Sequence, residues 1–319
     1  MRAVVYERYG APELRDIEAP GVPDDGMLVR VRAASLNPLD WYFLMGKPYL
    51  GRLATGLAKP KRTVPGVDFA GTVESVGKNA KQFRPGDEVF GAGRGALAEY
   101  VRVAESRVAL KPAHVTFEQA AAVPVAALTA LQGLRDYGRI QPGQQVLING
   151  ASGGVGTFAV QIAKSFGAEV TGVCSTGNVD QARALGADTV IDYTREDFTR
   201  SGRRYDLMFD IAGSRGWSEC KRVLGAEAKL VVAGGPRTNR WIGPLAHFFR
   251  IGVASMRGGR RAAMFVARMN QQDLTVLKAL LEAGKVTPVI DMRYALSEVA
   301  SAFRYLGEGH ARGKIVVTV

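Results

Sequence analysis

The stretch LINGASGGVGTFAVQIAKSFGAEVTGVCST, residues 147–176, constrains the fold more than any other part of the chain. It opens as an apolar run and breaks into glycine. It then places Val155, Phe158, Ala159, Ile162, Ala163 and Phe166 at the 3.6-residue spacing of a helix, which Gly167 stops. A second apolar run, 169–174, follows. Strand, turn, helix and strand in this order form a βαβ unit with parallel strands. Gly150, Gly153 and Gly156 recur at steps of three in the turn. A backbone this bare can bend sharply and come close to a ligand. The N–H groups of Ser152, Gly153, Gly154, Val155 and Gly156 then face the positive end of the helix, where a pyrophosphate is favoured. The spacing G-x-x-G-x-x-G is weak evidence by itself, and the βαβ setting is what strengthens it.

The same alternation continues on both sides. Strands are expected at 145–149, 169–174, 189–192, 206–211 and 229–233, with a sixth near 248–253 and helices between them, the pattern of a doubly wound parallel sheet. The first 120 residues read differently. RAVVYE, MLVRVRAAS, DFAGTVESVG, DEVFG and AEYVRV are short β-rich runs separated by turn sequences, which suggests a small β-barrel-like domain. A helix over 273–283 and a last strand, KIVVTV, close the chain, the strand pairing back into the first domain. A chain of 319 residues is too long for one ordinary core. The division is therefore 1–120 with 266–319, and 121–265.

The dinucleotide type is read at the end of the second strand of the unit. An NAD site places an acid there for the ribose hydroxyl. Here the sequence is Cys174, Ser175, Thr176, Gly177, Asn178, with no acid before Asp180. Hydroxyls and an amide suit a 2′-phosphate that an acid would repel, and Arg183 is a candidate counter-charge, so the reading is NADPH, with NADH less favoured. Turn formation explains Ser175 and Thr176 equally well.

Composition narrows the setting. The two cysteines make no disulfide framework, which fits a reducing compartment such as the cytosol. MRAVVYERYG has charges where a signal peptide needs an apolar core, and the run 120–131 is too short to span a bilayer. The net charge is +12, and 228–272 holds eight cations and no acid: Lys229, Arg237, Arg240, Arg250, Arg257, Arg260, Arg261 and Arg268. The block fits either an anionic surface, such as a membrane, or a basic flank of an anionic cofactor site. No lysine–aromatic array resembles a nucleic-acid module.

SLNPLDWY (35–42), VPGVDFAGTVESVG (64–77), FRPGDEVFG (83–91), AAAVPVAALTAL (120–131), NGASGGVG (149–156), LGADTVIDY (185–193) and GKIVVTV (313–319) run through nearly the whole chain. In this order they resemble the medium-chain dehydrogenase/reductases, specifically the zinc-independent quinone oxidoreductase (zeta-crystallin-like) type. The resemblance implies an α/β protein with a GroES-like β-barrel catalytic domain, a Rossmann doubly wound domain, a cleft between them, and a homodimer. It adds cofactor contacts: Thr129 near the nicotinamide, Tyr193 near the adenosine phosphate, Ala212 with Gly213 after the fourth strand, Gly234 with Gly235 after the fifth, and Arg312 near the phosphate end. Relatives often carry a basic residue where this chain has Gly177, a departure that weighs against strict NADPH preference.

Zinc-dependent relatives carry Cys at the position of Asn37 and His at that of Val67, and GAGRGALAEY leaves no room for their structural-zinc loop. No metal is therefore expected, since valine cannot ligate zinc. The chemistry left is hydride transfer from NADPH to an acceptor that conjugation already activates, a quinone or an α,β-unsaturated carbonyl. Asn37 is the candidate donor to the acceptor. Tyr42 is placed to hydrogen-bond the acceptor oxygen or relay a proton, and Asp40 to orient its neighbours. A turn around Pro38 would account for Asn37 and Asp40 without chemistry, and packing for Tyr42. Two alternatives stay open: an enoyl-thioester reductase, and a nucleotide-binding protein associated with membrane or RNA that has little catalysis.

Overall fold

The computed structural model describes residues 1–61, 63–236, 241–257 and 262–319. Its strands are β1 (Arg2–Val5), β2 (Glu13–Asp16), β3 (Gly26–Leu36), β4 (Asp68–Val76), β5 (Glu88–Ala92), β6 (Tyr100–Ala104), β7 (Val108–Leu110), β8 (Gln145–Asn149), β9 (Glu169–Cys174), β10 (Thr189–Asp192), β11 (Tyr205–Asp210), β12 (Leu224–Val232), β13 (Ala263–Met264), β14 (Ile290–Ala295) and β15 (Lys314–Thr318). Its α-helices are α1 (Pro38–Met45), α2 (Arg52–Thr55), α3 (Phe117–Ala121), α4 (Pro124–Gln132), α5 (Gly154–Ser165), α6 (Val179–Ala184), α7 (Trp217–Cys220), α8 (Leu245–Arg257), α9 (Gln271–Glu282) and α10 (Val299–Glu308). The chain divides into two compact units, one of Met1–Leu128 with Arg268–Val319 and one of Thr129–Ala267.

In the first unit one sheet runs β14-β15-β3-β4-β5-β7, with β6 also on β3. Its centre is β3, whose eleven residues are long enough to pair with β4, β6 and β15. The last strand does return here, antiparallel to β3, with Ile315 opposite Leu36. The core is aliphatic and aromatic: Val29, Phe69, Val89, Leu97 and Val317 are fully buried, and α10 contributes Val299, Ala302, Phe303 and Leu306. Alternation of inward apolar and outward polar residues along β6 gives the half-buried pattern that fixes its register.

The second unit is a parallel sheet of order β10-β9-β8-β11-β12-β13. This is the doubly wound order 3-2-1-4-5-6, in which ligands bind beyond the carboxyl ends of the strands. The sixth strand is not at 248–253, as the sequence suggested. That segment lies inside helix α8, and the strand is Ala263–Met264. The apolar run there is short enough to fit either period. What decides is its helical spacing, which sends Ile251 inward and leaves Leu245 and Phe249 exposed.

Candidate active site and nucleotide turn

In the first unit the site residues follow from how α1 begins. Pro38 stands at the first helical position, where its missing N–H is no loss and its fixed φ suits the helix. Asn37 is the N-cap, and its backbone N–H donates to Asp40 Oδ2 at 2.8 Å. Its side chain turns away from the helix into a buried network. Asn37 Nδ2 donates to Asp68 Oδ2 at 2.9 Å, and Lys314 Nζ donates to Asn37 Oδ1 at 2.7 Å and to Asp68 Oδ2 at 3.3 Å. Ser35 Oγ donates to Asp68 Oδ2 at 3.2 Å and the Val125 N–H to Asp68 Oδ1 at 3.1 Å. Sheet register makes this meeting possible, because β3 carries Ser35 opposite Asp68 of β4 and Leu36 opposite Ile315 of β15.

The network is dry. Asp68 is 0% exposed, Asp40 1%, Lys314 3% and Asn37 4%. Burial pushes the Asp40 carboxyl up to about 7; the nearby Asp68 charge adds to the rise, while the Asn37 N–H and the Lys314 ammonium oppose it. Asp40 Oδ1 has no hydrogen-bond partner among the described residues. Tyr42, two residues on, is half-buried and packs edge-on against Trp41 at 5.5 Å. Asn37 and Asp40 thus come together with two ionisable groups, Asp68 and Lys314, that the sequence reading did not select. Nothing in the sequence marks them: Lys314 is 246 residues from Asp68 and reads as an ordinary strand lysine.

A zinc ion does not fit this arrangement. The oxygens of Asn37 and Asp68 that would face a metal already share the Lys314 ammonium, whose charge repels a second cation. Among the described residues no three His, Cys, Asp or Glu side chains are grouped to hold one.

In the second unit, β8 leads through the glycine turn into α5. Gly150 has φ +96°, and the N–H groups of Gly150 and Ala151 both donate to Val173 O, tying the turn to β9. Gly153 is the N-cap of α5, and the first-turn N–H groups of a helix have no acceptor within it. The glycines serve different ends. A Cβ on Gly156 would lie 2.0 Å from Gly150 O, so this residue lets the helix cross the turn. A Cβ on Gly153 would meet nothing nearer than 3.9 Å, and its φ of −80° suits any residue. Neither packing nor backbone explains that glycine, whereas room for a ligand on the open side does. Ser152, Gly154 and Val155 complete this half-exposed turn.

The carboxyl ends of the neighbouring strands surround it. At β9, Ser175 Oγ accepts from Asn178 Nδ2 at 3.0 Å, and Asn178 Oδ1 is a buried acceptor with no partner among the described residues. Thr176 Oγ1 donates to Asp192 Oδ2 at 2.6 Å, and Thr194 donates to the other carboxylate oxygen. These bonds, the Thr176 one foremost, hold the Asp192 carboxyl below its usual range. The acid absent from the end of β9 therefore stands at the end of β10, one strand over. Arg183 pairs with Asp180 at 3.6 Å, and Tyr193 is 55% exposed.

At β11, buried Asp210 accepts from Asn149 Nδ2 at 2.8 Å and from the Gly213 N–H at 2.9 Å, and its Oδ2 lies 3.8 Å from His247 Nε2. A Cβ on Gly213 would lie 2.5 Å from Gly235 Cα and one on Gly234 within 1.9 Å of Ile211 O, so these glycines let two loops touch. Ala212 sits in the same loop, its N–H donating to Asn149 O. Gly213, Arg215, Trp217, His247 and Arg250 line a cavity of about 400 Å³ in this unit. Thr129 opens the second unit within α4, while Arg312 belongs to the first unit, its N–H on Asp291. Of the basic block, Arg237, Arg240, Arg260 and Arg261 lie outside the described residues.

Residues 23–113 match the family model described as the alcohol dehydrogenase GroES-like domain, and residues 185–317 match one described as zinc-binding dehydrogenase. The chain is 36% identical to a 2-methylene-furan-3-one reductase of Solanum lycopersicum, over 99% of this chain and 79% of that protein. It is 35% identical, with the same coverage, to a chloroplastic NADPH-dependent alkenal/one oxidoreductase of Arabidopsis thaliana. A solved quinone oxidoreductase of Coxiella burnetii shares the whole fold, with a TM-score of 0.88, 30% identity, and coverage of 100% of this chain and 99% of that one.

Proposed function

Since the chain belongs to the zinc-independent quinone oxidoreductase branch of the medium-chain dehydrogenase/reductase family, we propose that it reduces a quinone or an α,β-unsaturated carbonyl with NADPH. The observation that carries the cofactor half is the β8–α5 turn, where Gly153 is bare with no internal reason. Bound there, NADPH would supply the hydride. The protein's share is to bind, orient and keep the reacting atoms dry.

In this reading the second unit is the dinucleotide domain. The first-turn N–H groups of α5 take the pyrophosphate, Ser175, Thr176 and Asn178 take the adenosine ribose, and Arg183 faces the 2′-phosphate. Thr129, Tyr193, Ala212, Gly213, Gly234 and Gly235 complete the contacts. The first unit is catalytic. Tyr42 offers its hydroxyl to the acceptor oxygen. Asn37 and Asp40, locked into the Lys314–Asp68 network, hold the start of α1 in place. A buried ammonium stands where a metal would otherwise be invoked, so activity should be indifferent to chelators.

The finer setting is proposed with it: a homodimer in a reducing compartment, the cytosol, with both cysteines buried as free thiols. Peripheral contact with an anionic membrane is supported by α8, which exposes Leu245, Phe249 and Met256 beside Arg250. Among the described residues no helix is long and apolar enough to cross a membrane. The test is oxidation of NADPH and of NADH against a benzoquinone, a naphthoquinone, an alkenal and an enoyl thioester, with and without a chelator. The reading expects turnover on a quinone or alkenal, NADPH over NADH, unchanged by chelator. Turnover on the thioester alone would replace it with the carrier-linked reductase, and none on the whole panel would refute it.

A further inference from the structure

The cavity of about 400 Å³ in the second unit is bounded by the loop after β11, by α7 and by α8. Its volume is more than ten times the roughly 30 Å³ share of a water molecule and falls in the range of small-molecule sites. Trp217 and Ile251, 9% and 1% exposed, give it an apolar wall, and Arg215, Ser218 and Arg250 give it polar groups. Three buried polar atoms with no partner among the described residues gather here: Arg215 Nε, His247 Nε2 and Asp210 Oδ2. The other two nitrogens of the Arg215 guanidinium are engaged, by Asp197 at 3.4 Å and by Glu219 at 3.7 Å, so its Nε–H is left wanting an acceptor. Arg250 is exposed and makes neither a hydrogen bond nor an ion pair with any described residue. The acids nearby are Asp197, Asp210 and Glu219, and none of them lines the cavity. His247 does line it, and its Nε2 stands 3.8 Å from Asp210 Oδ2, beyond hydrogen-bond reach.

We propose that this cavity binds a small organic anion, a phosphate or carboxylate on an apolar body, at a site separate from that of the dinucleotide. The anionic group takes the Arg250 guanidinium and the Arg215 Nε–H, donors whose planar forks suit either oxyanion. The Ser218 hydroxyl adds a third donor, and the apolar body lies against Trp217 and Ile251. The wall at His247 is unfinished without a ligand. A shift of about 1 Å toward Asp210 brings the two orphaned atoms into a hydrogen bond and satisfies both. The site needs neither NADPH nor an acceptor, so it stands apart from the hydride-transfer reading.

The test is calorimetric titration of the full chain with phenyl phosphate and with benzoate, alone and with NADP⁺ saturating, so that the phosphate places of the dinucleotide are filled. Either anion should bind once per chain, with Kd of about 1 mM or tighter, whether or not NADP⁺ is present. The anion that binds fixes the acidic group. Benzyl alcohol, which has the ring without the charge, should not bind, and inorganic phosphate, which leaves Trp217 uncovered, should bind more weakly than phenyl phosphate. Arg250→Gln, at an exposed position, should weaken binding by about tenfold or more. Ser218→Phe, also exposed, should block the cavity and keep the melting temperature, and Arg203→Gln, an exposed arginine that does not line it, should change nothing. No binding of either anion, or binding that survives both Arg250→Gln and Ser218→Phe, overturns the site. Inorganic phosphate binding as tightly as phenyl phosphate overturns the organic assignment. Binding abolished by NADP⁺ overturns a separate site and gives the cavity to the dinucleotide. A chain that fails to bind NADP⁺ refutes the dinucleotide reading, and the titrations without it still decide the cavity.

Discussion

Replacing Asp40 by Asn should make the protein more stable at alkaline pH, and the size follows from the burial of its carboxyl. The ordinary carboxyl value is 3.8 and the folded one about 7, in a side chain 1% exposed. The folded state therefore holds the proton more tightly than the unfolded chain does. Stability from this group is complete below 3.8 and is lost as pH rises through about 7. The full difference is about 4 kcal/mol, of which about 2.5 kcal/mol falls between about pH 5 and about pH 8. Asn keeps the acceptor for the Asn37 N–H and never ionises. Urea unfolding of both proteins across this range, followed through Trp41 in α1, measures the difference free of other titrations. The gain of Asp40→Asn over wild type should widen by about 2.5 kcal/mol from about pH 5 to about pH 8. A constant gain, or one that shrinks with pH, would show that Asp40 is ionised in the folded protein, and the argument from its burial would fail.

Other outcomes follow from single contacts. Gly156→Ala, whose Cβ would fall 2.0 Å from Gly150 O, should lower stability by about 1–3 kcal/mol in thermal unfolding. Gly153→Ala, with nothing nearer than 3.9 Å, should keep its melting temperature yet bind NADPH at least about tenfold more weakly by fluorescence titration, a loss of about 1.4 kcal/mol. Lys314→Met should cost about 3–5 kcal/mol by leaving Asp68 buried without its counter-charge, and adding Asp68→Asn should recover part of that loss in a double-mutant cycle. Arg183→Gln should raise KM for NADPH several-fold and leave that for NADH unchanged, whereas equal effects on both would remove Arg183 from the 2′-phosphate site.

The nucleotide half was the more legible. The βαβ signal around Gly150–Gly156 is local, and the strand ends it implies follow from sheet order. Periodicity failed at 248–253, because FFRIGV satisfies a strand or a helix until Ile251 and Phe249 are seen on opposite faces. At 35–42 the reading without chemistry was a turn around Pro38, where the structure has the first residue of a helix. The sequence singled out Asn37 and Asp40 but not the partners that hold them. Asp68 and Lys314 meet through strand register over 246 residues, and a lysine in a β run reads as a solvated position until both of its neighbouring strands are known. Asp192 escaped for a related reason: the acid near Thr176 comes from the adjacent strand, while the sequence rule looks along the same one.

The central claim, direct hydride transfer from NADPH to a conjugated acceptor, is tested most directly with NADPH deuterated at one or the other C4 position and an alkenal as acceptor. The account predicts that one of the two labelled cofactors delivers its deuterium to the carbon β to the carbonyl, with a chelator present or absent. Unlabelled product from both cofactors, or deuterium transfer that stops when metal is removed, would contradict it.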